Sequence, residues 1–208
     1  MKNPPRSGPG MVRIIGGRWR GTRLPVPPVQ GLRPSSDRVR ETLFNWLGPT
    51  LAGARVVDLF AGTGALGLEA VSRGAATAVM VERDAGLAAA LRETVARLSA
   101  QECVEVAQTD ALQWLERAPE GSIDVAFLDP PFGGSLWSSA MALVLPAMAP
   151  GAMLYVESPH EQRDALPSAA WALHRQGSTR DVRFALYRAS GPQGADTLGG
   201  DVSTAVCE

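Results

Sequence analysis

The glycine-rich segment VVDLFAGTGALGLEA, at residues 56–70, constrains the fold more than any other part of the chain. β-Branched residues before Asp58 predict a short strand, and apolar residues recur at helical spacing after Gly64. Without side chains at Gly62 and Gly64, backbone N–H groups can approach a ligand, and the following helix directs the positive end of its dipole toward it. The segment therefore predicts a strand, a tight loop and a helix that together hold a nucleotide-like cofactor.

Two classes of cofactor fit this loop. The sequence GTGALG at residues 62–67 matches the dinucleotide fingerprint, and Glu82, near the end of the next predicted strand, can hold ribose hydroxyls. Two features favour S-adenosylmethionine (SAM) instead. Asp58 stands four positions before the first glycine, and the sequence DPPF follows a later predicted strand at residues 129–132.

Strand and helix patterns alternate from residue 55 onward. We place strands at residues 55–60, 77–82, 103–108, 123–129 and 152–157, and helices at 64–73, 84–99, 110–117 and 136–148. Two more strand-like pieces, around Gly177-Ser178, indicate an antiparallel pair. The sequence thus predicts an α/β fold with a doubly wound, mostly parallel seven-stranded sheet.

Acidic residues follow the first four predicted strands, and in an open sheet of this kind ligands bind beyond the carboxyl ends of the strands. We therefore expect four carboxylates to line one crevice: Asp58, Glu82, Asp110 and Asp129. Each aspartate can instead be a helix N-cap, and that alternative carries most weight for Asp110.

Basic residues are concentrated at the N-terminus. Residues 1–40 contain nine basic residues and one acidic residue, whereas residues 41–208 contain 11 basic and 20 acidic residues. A basic segment on an acidic domain indicates a polyanionic partner such as nucleic acid, the alternative being a solvated tail.

Residues 11–50 are predicted to form a small β-hairpin and a helix with Ser35 or Ser36 as its N-cap. Trp19 can stack on a base, and it serves equally well as a packing anchor. Arg38 and Arg40 can point toward substrate, the alternative being surface charges paired with Glu41 or Asp37. The residues expected to contact RNA are Arg18, Trp19, Arg20, Arg23, Arg33, Arg38 and Arg40.

Two motifs resemble those of a known class of enzymes. DLFAGTG, at residues 58–64, resembles motif I of class I SAM-dependent methyltransferases, and DPPF resembles the signature of members that methylate amino groups. The resemblance implies a Rossmann-like fold, in which Glu82 accepts hydrogen bonds from the ribose and Asp110 accepts from the adenine amine. The residues that it assigns to SAM are Asp58, Phe60, Gly62, Gly64, Glu82, Asp110 and Ala111.

The DPPF sequence also indicates the acceptor. The Asp129 carboxylate and the Pro130 carbonyl can accept the two N–H groups of an exocyclic base amine, so that its lone pair faces the donor methyl group. Phe132 can stack on a base that has left its own stack. These three residues are the predicted catalytic set. Their chemistry does not distinguish adenine N6 from guanine N2 or cytosine N4.

A fuller resemblance narrows the acceptor to guanine. IIGGRWRG at 14–21, GLRPSSDRVRETLFNWL at 31–47, AGTGALGLEA at 61–70 and YVE at 155–157 resemble the bacterial 16S rRNA guanine-N2 methyltransferase D family. The similarity covers about residues 12–188. It implies a generally monomeric enzyme that methylates one guanine of 16S rRNA, in the 30S ribosomal subunit or its assembly intermediate.

Three other functions are compatible with parts of the sequence. An adenine-N6 methyltransferase acting on DNA or RNA could use the same DPPF loop, but no separate DNA-recognition domain is evident. An NAD-dependent reductase would leave DPPF unexplained. A non-catalytic RNA-binding assembly factor could keep the fold, although the intact acidic residues argue for activity.

The chain therefore divides into a disordered segment at 1–10, a basic RNA-facing extension at 11–50, a methyltransferase domain at 51–188 and a disordered tail at 189–208. We expect a cytoplasmic protein, because no apolar run reaches the roughly 18 residues of a membrane span and the N-terminus lacks a signal peptide. Two cysteines, Cys103 and Cys207, support neither a disulfide framework nor a metal site.

Overall fold

The computed structural model describes residues 10–27, 36–130, 136–159, 171–180, 182–189 and 204–206. Along the chain the elements are β1 (Met11–Arg13), β2 (Arg23–Pro25), α1 (Asp37–Leu47), β3 (Arg55–Asp58), α2 (Ala65–Ser72), β4 (Thr77–Val81), α3 (Ala85–Arg97), β5 (Val104–Ala107), α4 (Ala111–Leu115), β6 (Ile123–Leu128), α5 (Leu136–Ala147), β7 (Met148–Pro159), β8 (Trp171–Ser178), β9 (Val182–Ala189) and β10 (Thr204–Val206). A 3₁₀ turn, Gly48–Leu51, follows α1.

The large sheet has the strand order β10-β8-β9-β7-β6-β3-β4-β5. The five strands from β7 to β5 in this order run parallel to their neighbours, and β9 runs antiparallel to both β7 and β8. The strands β3 to β9 are the seven predicted ones, so the predicted mostly parallel sheet is confirmed.

Helices cover both faces of the sheet. On one face, Val56, Phe127 and Tyr155 pack against α1, α2 and α3, whereas on the other Val57 and Leu154 pack against α4 and α5. Successive strand residues point to opposite faces, which is why a run such as Val56-Val57 serves both cores. The doubly wound arrangement is therefore confirmed. No helix in the described part of the chain has the length and apolar character to cross a membrane.

The predicted N-terminal extension is also present. β1 and β2 pair as a hairpin, and Ser36 is the N-cap of α1, its Oγ accepting the Val39 N–H at 3.3 Å. The apolar face of α1 packs on the sheet, where Trp46 stacks on Phe184 at a centroid distance of 5.3 Å.

Two boundary predictions are wrong. Gly177-Ser178 forms the end of β8 and not the turn. A side chain at Gly177 would meet the Phe184 ring of β9 at 2.5 Å. The glycine marks close packing between strands. No element is predicted after residue 188, yet β10 pairs with the edge of β8 through Thr204–Val206. The remainder of that tail, and residues 1–9, lie outside the described residues.

Candidate functional site

The acidic residues at the strand ends gather at one edge of the sheet. Asp58 ends β3, Glu82 follows β4, Asp110 precedes α4 after β5, and Asp129 follows β6. Because these four strands are parallel neighbours, their carboxyl ends lie at the same edge. The predicted convergence of the four carboxylates is therefore present.

The glycine-rich loop crosses this edge between β3 and α2. It is fixed to β4 by the Ala61 N–H, which donates to the Val81 carbonyl at 3.0 Å. Gly64 has φ +74°, and a Cβ there would meet Leu91 Cδ2 at 2.7 Å. A left-handed conformation and close packing therefore both require glycine at this position.

Glu82 connects the loop to the start of α3. Its Oε2 accepts the Gly62 N–H at 3.0 Å and its Oε1 accepts the Asp84 N–H at 2.8 Å. Each carboxylate oxygen has a second lone pair, so the group can still accept from two hydroxyls. This arrangement fits the predicted contact with ribose.

Asp110 is the N-cap of α4. Its Oδ1 accepts the N–H groups of Leu112 at 2.9 Å and Gln113 at 3.4 Å, while Ala111 is buried in the first turn. The alternative of a helix cap is therefore realised at Oδ1, and the second carboxylate oxygen retains its capacity to accept from an adenine amine. Phe60 lies half-buried in the glycine loop.

Asp58 is buried beneath the loop. It is 2% exposed, and its Oδ2 accepts the Gly67 N–H at 3.1 Å. Burial raises the pKa of the Asp58 carboxyl to about 7, assisted by the charge of Glu82 and opposed by the N–H groups of Gly67 and Phe60. Asp58 thus orients the loop from below.

The raised pKa of Asp58 makes folding stability depend on pH. Between the usual carboxyl pKa of about 3.9 and the folded value the native state holds a proton that the unfolded chain has lost, so stability falls as pH rises. We expect Asp58→Asn to flatten this decline, which runs from about pH 4 to about pH 7, as measured by urea unfolding. An identical pH slope in the variant would contradict the burial of this group.

The catalytic loop is described at its first two positions. Asp129 is half-buried and Pro130 is buried, directly after β6, whereas Phe132 lies outside the described residues. Because Phe127 faces α1 and α2, the alternation of the strand directs Asp129 toward the same side as Asp58.

The prediction that Arg40 contacts RNA is wrong. Its side chain is fully buried, and it donates to Asp37 Oδ1 at 2.6 Å, to the Arg13 carbonyl at 2.8 Å and to Glu69 Oε2 at 3.4 Å. The pairing with Asp37 that the alternative names is present, but Arg40 is buried and is not a surface charge. A guanidinium enclosed in this way has no surface to offer a phosphate.

The tip of the hairpin lies at the opposite edge of the sheet from the carboxylates. The Arg18 N–H donates to the carbonyl of Ser72, the last residue of α2, and Arg18 Nη2 donates to Sγ of Cys103, just before β5. The eight residues of α2 span about 12 Å, so Arg18 and Arg20 are at least a helix length away from the glycine loop.

Trp19 serves as a packing anchor. It is half-buried against the core, and the Arg18 guanidinium lies 4.1 Å from its ring centroid. The side chains of Arg18, Arg20, Arg23 and Arg38 are exposed, and Arg33 lies outside the described residues.

Two buried carboxylates were not among the predicted site residues. Glu69 of α2 accepts the N–H groups of Ile15 and Gly16 at 2.7 and 2.8 Å and so holds the hairpin to the domain. Glu157, 5% exposed and two residues before the end of β7, accepts a hydrogen bond from the Tyr155 hydroxyl at 2.9 Å. The sequence signalled Glu157, which ends a predicted strand as Asp129 does.

Known proteins are similar to this chain in sequence and fold. A family model described as Conserved hypothetical protein 95 matches residues 12–188. The chain is 44% identical over 203 residues to the ribosomal RNA small subunit methyltransferase D of Escherichia coli, covering 94% of this chain and 100% of that protein. The protein of the same name from Haemophilus influenzae is 39% identical over 183 residues, covering 86% and 94%. A solved structure described as putative methyltransferase yhhF from Escherichia coli aligns with a TM-score of 0.78 and 42% identity, covering 87% of this chain and 99% of that chain.

Proposed function

The chain belongs to the ribosomal RNA small subunit methyltransferase D family, and we propose that it transfers a methyl group from SAM to the exocyclic N2 amine of one guanine in 16S rRNA. The main support is the position of Asp129 and Pro130, which follow β6 at the edge of the sheet where the glycine loop and Glu82 lie. A base amine and a SAM molecule can meet at that edge.

The residues of the crevice fit SAM. The carboxylates of Glu82 and Asp110 accept hydrogen bonds from hydroxyl and amine groups, and the glycine loop leaves room for the methionine part. When bound, SAM supplies an electrophilic methyl group on a sulfonium. Intact acids at all four strand ends favour an enzyme over a non-catalytic assembly factor.

Asp129 and Pro130 act on the acceptor amine. The lone pair of this nitrogen is delocalised into the base, so the amine reacts only when it is held in the required geometry. Accepting one N–H each, the Asp129 carboxylate and the Pro130 carbonyl direct the lone pair at the methyl group. The carboxylate is also placed to accept the proton that the amine loses. Phe132 completes the set by stacking on the base.

The exposed arginines of the extension supply affinity for the RNA backbone. Arg18, Arg20 and Arg23 lie at the edge of the sheet opposite the crevice, so they contact phosphates remote from the methylated base, whereas Arg38 is at the start of α1. We propose that the substrate is presented by the 30S subunit or its assembly intermediate, that the enzyme acts as a monomer, and that an rRNA substrate implies a cytoplasmic location.

Replacing Arg20 by glutamine is expected to weaken binding of 16S rRNA and to reduce the slope of log K against log salt by about one, the effect of losing one phosphate contact. The matched control is Arg117→Gln, which removes an exposed arginine beyond α4 on the other side of the sheet. Filter binding between 50 and 300 mM KCl measures both slopes. Equal slopes for the two variants would show that Arg20 makes no phosphate contact.

The proposed function is tested by transfer of labelled methyl groups from SAM to unmodified small subunits and to naked 16S rRNA, followed by nucleoside analysis. N2-methylguanosine at one site is the expected product. N6-methyladenosine would instead support the adenine-N6 alternative, with the same loop and cofactor. Absence of transfer together with tight RNA binding would favour the assembly factor.

A further inference from the structure

A second carboxylate, Glu157, lies beside Asp129 at the edge of the sheet. The β6–β7 register pairs Leu128 with Val156, so the residues that follow them are neighbours on adjacent parallel strands. Such strands are about 4.8 Å apart. Asp129 and Glu157 can therefore reach the same small group.

Both side chains are directed to the same face of the sheet. Leu128 and Val156 belong to the core beneath α4 and α5, and the alternation of the strands turns the next residues to the opposite face, where Tyr155 lies. Tyr155 contacts Glu157 directly through its hydroxyl. Burial, together with the charges of Glu157 and Asp129, raises the pKa of Tyr155 well above its usual range.

Glu157 is held as an acceptor. Only 5% of the residue is exposed, and the fully buried Tyr155 hydroxyl donates to its Oε2 at 2.9 Å. Because the raised pKa keeps this hydroxyl protonated, it remains a donor and restrains the carboxylate. A restrained acceptor of this kind favours a ligand that presents a hydrogen-bond donor to it over a ligand that presents a lone pair.

Guanine and adenine differ at the position next to the reactive amine. Guanine carries N1–H beside its N2 amine, whereas adenine carries an unprotonated N1 beside its N6 amine. Two adjacent carboxylates therefore match the donors of guanine and would oppose the N1 lone pair of adenine. An enzyme that extrudes a base reads this Watson–Crick edge in its pocket.

We propose that Glu157 accepts the N1–H of the target guanine while Asp129 and Pro130 hold its N2 amine, so that Glu157 determines the choice of guanine over adenine. This inference rests on the proposed function. A site built to hydrogen-bond a substrate N–H rejects an analogue that lacks it by about 10⁴-fold when the contact is fully buried. The DPPF loop alone provides no such discrimination.

The test compares two RNA substrates that both carry the N2 amine. One has guanine at the target position and the other has 2-aminopurine, which lacks the N1 hydrogen and the C6 oxygen. The wild-type enzyme is expected to prefer guanine by about 100-fold or more in kcat/KM. In Glu157→Gln the amide can donate to the bare N1, and the preference is expected to fall at least about tenfold.

The ratio of kcat/KM for the guanine RNA to kcat/KM for the 2-aminopurine RNA separates recognition from structure. Damage to the fold lowers both kcat/KM values together and leaves their ratio unchanged. An unchanged ratio in Glu157→Gln overturns the role of Glu157. Tyr155→Phe, which keeps the carboxylate and removes the hydroxyl that donates to its Oε2, is the second variant and carries the test if Glu157→Gln does not fold. It is expected to lower the preference severalfold, and an unchanged ratio there is equally decisive against the inference.

Failure of the inference differs from failure of the proposed function. If the wild-type enzyme transfers no methyl group to guanine N2, the proposed function is wrong and the inference falls with it. If guanine is methylated and the ratio is the same in wild type and variants, only the role of Glu157 is wrong. SAM affinity, measured by calorimetry, is expected to be unchanged in both variants.

Discussion

Asp129→Ala is expected to reduce kcat by about a thousandfold or more while leaving SAM affinity within a few fold of wild type. The acceptor amine would lose both the oxygen that orients its lone pair and the base that takes its proton, two effects worth about 10²–10³-fold and 10²–10⁴-fold in other enzymes. SAM binding should persist because the contacts assigned to it lie on the glycine loop, Glu82 and Asp110. Single-turnover methyl transfer and calorimetric titration with SAM measure the two quantities.

The matched control is Asp124→Asn, an aspartate of the same strand. Asp124 lies near the start of β6, at the far edge of the sheet, where it pairs with Arg55 at 2.9 Å. This variant should methylate RNA at a rate close to wild type. A near-normal rate in Asp129→Ala would show that the DPPF loop does not hold the amine, and a parallel loss of SAM affinity would mean that the crevice itself had been disturbed.

The elements around the crevice are predictable because their signals are local. A β-branched run ending at Asp58, followed by glycines, produces a strand and a tight turn through the conformational limits of the residues themselves. The positions of Glu82, Asp110 and Asp129 then follow from the rule that parallel strands share a carboxyl edge. No long-range information is needed for this part of the site.

The burial of Arg40 depends on residues that are distant in the sequence. Its spacing in α1 is compatible with exposure, but Glu69, 29 positions further along the chain, supplies a buried carboxylate that the guanidinium can reach. The same holds for Gly177. In the sequence a glycine at this position indicates a turn, whereas in the structure it makes room for the Phe184 ring of the neighbouring strand. Pattern reasoning identifies strands and helices, whereas the pairing of buried charges is decided by tertiary packing.

The position of the hairpin is likewise a tertiary result. Composition indicates a basic extension and the resemblance indicates an RNA substrate, but neither states that the tip of the hairpin packs against Ser72, at the end of α2 opposite the crevice. The placement separates the two halves of RNA recognition. Under the proposed function, phosphate contacts come from one edge of the sheet and chemistry on the base takes place at the other.

Glu69 holds the hairpin to α2, and its replacement has the largest expected effect on stability. The Glu69 carboxylate is fully buried and accepts hydrogen bonds from Arg73 Nε at 2.8 Å and from the N–H groups of Ile15 and Gly16. Its second partner in an ion pair, Arg40, is also fully buried. Removing one partner from such a network leaves buried groups uncompensated and costs about 3–5 kcal/mol.

Glu69→Gln is therefore expected to lower the free energy of unfolding by about 3–5 kcal/mol. The neutral amide removes one of the negative charges that neutralise the buried Arg40, and its NH₂ group cannot accept from the backbone N–H groups of the hairpin. The exposed pair offers the control, since Arg55→Gln should cost no more than about 1 kcal/mol. Urea unfolding measures both variants, and hydrogen exchange at the Ile15 and Gly16 amides reports whether the hairpin has detached from α2. Equal costs for the two variants, with unchanged protection of those amides, would mean that apolar packing of α1 alone holds the extension in place.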